Sequence, residues 1–266
     1  MDSSAQTGIR IEGGHDNTFE KCVVKLAGGD AVAMTENAGD FTHDNLLSKC
    51  QLIQPVGAGV VLEGADNTVD HCKILKPGGS GCLVDDAVNG HDNHFTSLKV
   101  IQPAGDGASL AGDFNDCTAC KFVKPGVRGV DIVAGNSNSV AGCKVVKSGD
   151  DAIRAEVGSA SATVSGCKVS KAGDDGIEID SDNATVQDNK VKACLDDGVD
   201  IDGDNGSYTG NKVNGNKDDG FVLSEGVDNT LSGNKAHGNK GFDLDEAVGV
   251  GLNTIDDTND FGTTGP

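Results

Sequence analysis

The segment Gly59-Val-Val-Leu-Glu-Gly-Ala-Asp-Asn-Thr-Val-Asp-His-Cys-Lys-Ile-Leu-Lys-Pro-Gly78 is the unit from which the chain is built. Its parts return as Gly176-Ile-Glu-Ile-Asp180 with Ala184-Thr-Val-Gln-Asp-Asn-Lys-Val191, and as Gly220-Phe-Val-Leu-Ser224 with Asn229-Thr-Leu-Ser-Gly-Asn-Lys-Ala236. The first apolar residue of each unit falls at Ile9, Val32, Val60, Cys82, Ala108, Val130, Ile153, Ile177, Val199, Phe221 and Phe242. The intervals run from 21 to 28 residues, mostly 22 to 24. Self-similarity at such a period is the mark of a repeat architecture, in which each unit buries its apolar face only against its neighbours.

Within a unit the apolar residues alternate, as in Ile177/Ile179, then Val186, then Asn189/Val191. Period-two alternation indicates strands. Three strands in about 22 residues leave no room for helices between them. The units must therefore stack, each strand pairing in parallel with its copy one turn later. The expected fold is all-β: one domain over residues 1–266, a right-handed parallel β-helix of about eleven coils with three short strands per coil. The leucine-and-helix pattern of leucine-rich repeats is absent. Two longer units carry insertions near Gly39–His43 and Val88–Asn93, which should bulge as loops.

Composition agrees with a stacked aliphatic core, since aromatics make up 3% of the 266 residues and tryptophan is absent. Acidic residues number 42 against 21 basic ones, for a net charge of −21. That balance argues against nucleic acid as a partner and favours cation binding. No apolar run is long enough to span a membrane. The opening stretch, Met1-Asp-Ser-Ser-Ala-Gln6, shows no basic segment followed by an apolar one, so no signal peptide is visible. Either the protein stays inside the cell or a leader has been removed.

Equivalent positions in a solenoid stack about 4.8 Å apart, so residue types form ladders. Asn17, Asn45, Asn67, Asn93, Asn115, Asn138, Asn183, Asn229 and Asn253 precede the second strand, where an amide can bond to the next turn. Cys22, Cys50, Cys72, Cys120, Cys143 and Cys167 share one inward position that later coils give to Asn189, Asn211 and Asn234. Cys117-x-x-Cys120 then spans two core positions, and the thiols read as small hydrophobes in a mainly reduced ladder. Neighbouring rungs lie within disulfide range. Lysines at 73, 99, 121, 144, 168, 190, 212 and 235 line the outer third strand. This row, with Lys121, Lys144, Lys168, Lys190 and Lys212 at its centre, is either a solvated face or a track for a linear polyanion.

Four consecutive coils repeat an aspartate pair: Asp150-Asp151, Asp174-Asp175, Asp196-Asp197 and Asp218-Asp219. The first strand then points Asp131, Glu178 and Asp200 outward, followed by Glu156, Asp180 and Asp202. Stacked carboxylates repel unless a cation or proton intervenes, and hard oxygen donors from adjacent rungs suit Ca²⁺. Arg154, between Asp131 and Glu178, is the built-in cation expected on that level. The histidines, in turns or near strand starts, form no pair at ligand spacing.

These repeats resemble the right-handed parallel β-helix superfamily of pectate lyases, alginate lyases and mannuronan epimerases. Locally, Asp196-Asp197-Gly198-Val199-Asp200 is similar to the calcium motif of family 9 polysaccharide lyases, with Asp174 or Asp175 as the aspartate from the preceding coil. The resemblance implies a Ca²⁺ site at Asp174, Asp175, Asp196, Asp197 and Asp200. It also implies a lysine base, but the outward first-strand positions downstream carry Val222 and Asp243. Arg154 and Lys217 are the nearest basic candidates, and neither matches the family's position. The Gly-His-Gly and Arg-Ile-Lys elements of polygalacturonases are missing.

Two functions are expected from these features. One is a carbohydrate-active β-helix acting on acidic (uronic) polysaccharide, by Ca²⁺-dependent β-elimination if it is an enzyme. The other is a non-catalytic surface, scaffold or polysaccharide-binding module. The resemblance implies a location outside the cell or on its surface, with a cytoplasmic one left open. The early entry into the first coil suggests end-to-end self-association or a missing capping domain, whereas Phe261 is a candidate plug for the other end.

Overall fold

The computed structural model describes residues 6–37, 40, 42–247 and 252–265. Part of the Gly39–His43 insertion lies outside them. Three 11-stranded parallel sheets run the length of the molecule, and no helix occurs among the described residues. The first sheet begins with Ile9–Glu12, the second with Thr18–Glu20 and the third with Val23–Lys25, each coil adding one strand to each sheet. This is the eleven-coil, three-strand solenoid expected from the repeat.

Strands of about three residues close into a coil because single residues in the left-handed region turn the chain between them. In the coil of Ile177 these corners are Asn183 (φ 57°), Asp188 (φ 56°) and Ala193 (φ 57°). Asn and Asp tolerate this region. Gly210 and Gly215 take equivalent corners in the next coil at φ 68° and 67°, without the Cβ penalty.

The middle residue of most second- and third-sheet strands points inward. Leu47, Val69, Phe95, Cys117, Val140, Val164, Val186, Tyr208 and Leu231 are fully buried in the second sheet. Removing these apolar rungs from water is worth about 25 cal/mol per Å², the main force holding coils together. The Tyr208 hydroxyl is buried without a hydrogen-bond partner among the described residues.

The corners carry polar ladders. Asn45 accepts from the backbone and side chain of Asn17, and the pattern continues through Asn67, Asn93, Asn115 and Asn138. Asn183 is not one of its rungs: it occupies the exposed left-handed corner, and buried Ala184 fills the slot. The preceding turn has its usual length, Ile177 to Thr185 matching Val60 to Thr68, and the asparagine takes the left-handed corner that Asp66 fills in that coil. The cysteine ladder passes to asparagine as expected, the Cys167 amide donating to Asn189 Oδ1 at 2.8 Å. All nine cysteines are free. Cys117, Cys120 and Cys143 are buried with their Sγ atoms within 4.8 Å of one another. A ladder not anticipated stands at the third corner, where buried Pro55, Pro77, Pro103 and Pro125 give way to Cys194, Asn216 and Asn239. Proline needs no acceptor for an amide it lacks, and the polar rungs are hydrogen-bonded instead.

The last coil departs from the repeat. Leu244, not Phe242, pairs with Phe221, and Phe242 is exposed. Asp243 turns inward instead of facing out opposite Val222, and Asp245 takes the outward place. Asp243 accepts from Asn239 Nδ2 at 2.7 Å and from the Thr263 amide at 3.1 Å, tying the C-terminal segment back onto the coil. Phe261 packs on Phe221 with ring centroids 5.7 Å apart, as expected of a plug. The Val88 insertion is a tight turn closed by Asp86, with Val88 exposed.

Candidate functional site

The acidic strip forms where the third-sheet strand turns into the next first-sheet strand. Register places Arg154 between Asp131 and Glu178, and Glu178 beside Asp200. The paired aspartates gather in overlapping triplets: Asp150, Asp151 and Asp174; Asp174, Asp175 and Asp196; Asp196, Asp197 and Asp218. Asp151, Asp175 and Glu178 form a fourth, deeper one. In each triplet the ligand oxygens lie within 4.8 Å of one another. Of the calcium candidates, Asp174, Asp175, Asp196 and Asp197 thus share the strip's turns. Asp200 stands on the adjoining strand and belongs to none of these triplets.

Much of the Asp-Asp-Gly pattern is dictated by the fold. The second aspartate of each pair is a rung: the Asp175 amide donates to Asp151 Oδ1 at 3.2 Å, Asp197 to Asp175 Oδ1 at 2.7 Å and Asp219 to Asp197 Oδ1 at 2.6 Å. The glycine is steric. A Cβ on Gly198 would lie 2.0 Å from Val213 Cγ1 and 2.6 Å from the Gly220 carbonyl oxygen. The structural rung engages one oxygen of each second aspartate, and the other remains for a cation.

Two coils supply that cation themselves. Arg128 Nε lies 3.4 Å from Asp151 Oδ2, and its Nη1 lies 3.0 Å from Asp131 and 3.4 Å from Glu156. Arg154 Nη1 lies 3.2 Å from Glu178, and Nη2 lies 2.8 Å from Asp180. Arg128 was not anticipated. It sits outside the strand pattern, and only the coil geometry carries its guanidinium onto this level, so Arg154 is not the one cation there. Burial works against both charges, but the surrounding carboxylates prevail and hold both guanidiniums protonated. An arginine so held supplies charge and hydrogen bonds, and is a poor proton acceptor. Lys217 is exposed in the turn before Asp218, with no carboxylate at ion-pair distance among the described residues.

Beyond Arg154 no basic side chain pairs with the strip among the described residues. Asp174, Asp175, Asp196, Asp197, Asp200, Asp218 and Asp219 have no ion pair among the described residues. Burial, reinforced by neighbouring carboxylates, pushes Asp175 up to about 8, Asp200 to about 7 and Asp197 to about 6. Glu178 rises to about 9 through burial and its hydrogen bond with Asp151. At neutral pH the Asp175 carboxyl therefore holds a proton that a metal ion would displace.

The lysine row lies on the third sheet. Lys73, Lys99, Lys121, Lys144, Lys168, Lys190, Lys212 and Lys235 pair rung to rung. A groove of about 730 Å³ runs over this face, lined by Lys144, Lys168, Lys190, Lys192, Lys212 and His237 among others. Elsewhere His15 and His43 stack in parallel with centroids 5.0 Å apart, a pairing between coils that linear spacing concealed. Each bonds the aspartate that follows it, Asp16 or Asp44.

Several solved structures share this architecture. The A-module of a mannuronan C-5 epimerase from Azotobacter vinelandii matches with a TM-score of 0.63 and 14% identity, over 96% of this chain and 84% of that one. The catalytic unit of a GH87 alpha-1,3-glucanase from Streptomyces thermodiastaticus matches with a TM-score of 0.55 and 14% identity. The match covers 97% of this chain, which spans only 62% of the glucanase unit. An alginate lyase from a Paenibacillus species matches with a TM-score of 0.53 and 13% identity, over 99% and 94% of the two chains. At these identities the likeness establishes the fold. No curated protein matches the sequence. The family model described as right handed beta helix region matches residues 1–145, 87–236 and 151–263. Together with the register of the three sheets, that match shows that the chain belongs to the right-handed β-helix family.

Proposed function

We propose that this protein is a carbohydrate-active β-helix that meets uronic polysaccharide, outside the cell or on its surface, along a Ca²⁺-loaded acidic strip. One observation carries the reading: Arg128 and Arg154 neutralise their own coils, Arg154 reaching Glu178 and Asp180, whereas Asp174, Asp175, Asp196, Asp197, Asp218 and Asp219 stack with no ion-pair partner among the described residues. The donor set fits Ca²⁺, which takes six to eight oxygens with tolerant geometry. Asp174, Asp175, Asp196 and Asp197 would hold the ion, with Asp200 beside them. The structural similarity to an epimerase and a lyase named for uronate polymers supports the substrate class.

Bound there, Ca²⁺ would supply the charge that acidifies the proton beside a sugar carboxylate. Lys217, exposed one coil further on before Asp218, would accept that proton, and Arg154 would steady the negative charge that develops. Glu178, kept protonated by its surroundings, can donate toward a departing sugar oxygen.

Incubation with polymannuronate and polygalacturonate, following the absorbance of unsaturated sugar ends, tests the chemistry. Calcium-dependent release of such ends is expected. If both polymers stay intact while Ca²⁺ raises the melting temperature, the strip binds its ion without catalysing elimination. If Ca²⁺ leaves melting unchanged as well, the reading fails.

A further inference from the structure

The lysine row repeats one charge per coil, about every 4.8 Å, down an entire sheet face. Like charges placed directly opposite on neighbouring strands destabilise a sheet. Such repulsion is normally relieved by interleaved carboxylates, which this chain has in excess at 42 acidic against 21 basic residues. The excess is placed elsewhere. Among the described residues only Lys235, at the end of the row, reaches a carboxylate, 3.6 Å from Asp260. From Lys73 to Lys212 no lysine of the row has an ion-pair partner among the described residues. The central lysines are exposed, with Val145, Val169, Val191 and Val213 buried beneath them. The groove sits over this part of the row, with Ser170, Lys192, Asn214 and His237 forming the parallel polar rung beside it.

We propose that this groove is a second binding site, separate from the acidic strip, which holds a linear anionic polysaccharide parallel to the solenoid axis. The rung spacing is close to the length of one pyranose residue, so a polymer with one carboxylate per sugar meets one lysine per coil. Polar side chains on the adjoining rung, Ser170, Asn214 and His237, supply hydrogen bonds to ring hydroxyls. A nucleic acid fits less well. Its phosphates recur about every 3.4 Å along a strand of the duplex, and a single strand is gripped by successive aromatic platforms, whereas the groove lining holds no Phe, Tyr or Trp. The inference does not depend on calcium or catalysis. It gives the polymer a track along which several sugars are held at once, so affinity should grow with chain length.

Titration calorimetry with size-graded oligomannuronates, at low and high salt, tests it on the intact protein. Dextran and single-stranded DNA serve as neutral and phosphate-bearing competitors. Binding should strengthen with oligomer length and fall steeply with salt. Lys168→Glu with Lys190→Glu should weaken it by about tenfold or more, as expected when phosphate-like point contacts are reversed. Lys240→Glu, an exposed lysine off the row, should leave it within about twofold. Absence of binding by the native protein would overturn the proposal. So would equal losses in the two variants, equal binding of dextran, or tighter binding of DNA. The calcium-induced melting shift of the Lys168→Glu/Lys190→Glu variant reports separately on the strip, so failure of one site is distinguishable from failure of the other.

Discussion

The backbone amide of Asp197 donates a 2.7 Å hydrogen bond to Oδ1 of Asp175 one coil earlier, so a residue proposed to hold calcium is also a rung of the solenoid. The two roles can be separated by substitution.

Asp175→Asn retains an acceptor for the Asp197 amide while removing a carboxyl from the strip. The metal-free variant should melt at or above the parent's temperature, with the calcium-induced shift lost. Asp175→Ala leaves the buried amide unpaired and should cost about 1–3 kcal/mol in chemical denaturation. Equal stabilities for the two variants would contradict the rung.

The strip also sets a pH dependence. The folded-state values of Asp175, Asp200 and Asp197, about 8, 7 and 6, lie above those of an unfolded chain, near 3.8. The native state therefore binds more protons between those limits, and these groups stabilise it fully below about pH 4. That contribution is lost as pH rises through about 6 to 8. Without metal, the melting temperature should fall across this window from this source. Added Ca²⁺ should restore it, most strongly at the alkaline end, where the ion no longer competes with protons. A calcium effect larger at pH 5 than at pH 8, measured by scanning calorimetry, would contradict the assignment.

Arg154→Ala removes the partner of Glu178 and Asp180 together. The expected cost is about 1–3 kcal/mol, below that of a fully buried pair because the arginine is partly exposed. Asp180→Asn introduced into Arg154→Ala should recover part of it. Urea denaturation of the single and double variants checks the coupling.

Asn211 accepts from the amide and side chain of Asn189 and donates to the Val186 carbonyl at 2.8 Å. Asn211→Leu keeps the bulk but leaves these groups unpaired in the core. A loss of about 2–4 kcal/mol is expected, with hydrogen-exchange protection falling first in the coils on either side. Cys143→Ala, at the corresponding slot higher in the stack, should cost less, since sulfur is the weaker acceptor.

The sequence alone carried the architecture, because a solenoid writes its register into the chain: residues one coil apart in space are one repeat apart in sequence. The period therefore placed Lys144 over Lys168, Arg154 between Asp131 and Glu178, and Cys167 above Asn189. The reading slips where a coil replaces its usual residue: by one at Asn183, where Ala184 fills the asparagine slot, and by two at Phe242, an exposed apolar residue ahead of the strand that begins at Leu244. The Asp-Asp-Gly-x-Asp motif was legible as residues, but its meaning was mixed. Only the packed coils show that Gly198 is demanded by Val213 and that Asp175 serves the Asp197 amide. Arg128 neutralises the upper strip from a turn, through a side-chain path that no periodicity encodes. The stacking of His15 on His43 likewise appears only in three dimensions. Period and residue type determine what stacks on what. Tertiary structure decides which of those groups are left without a partner, because burial and the reach of long side chains depend on the whole surface around each rung.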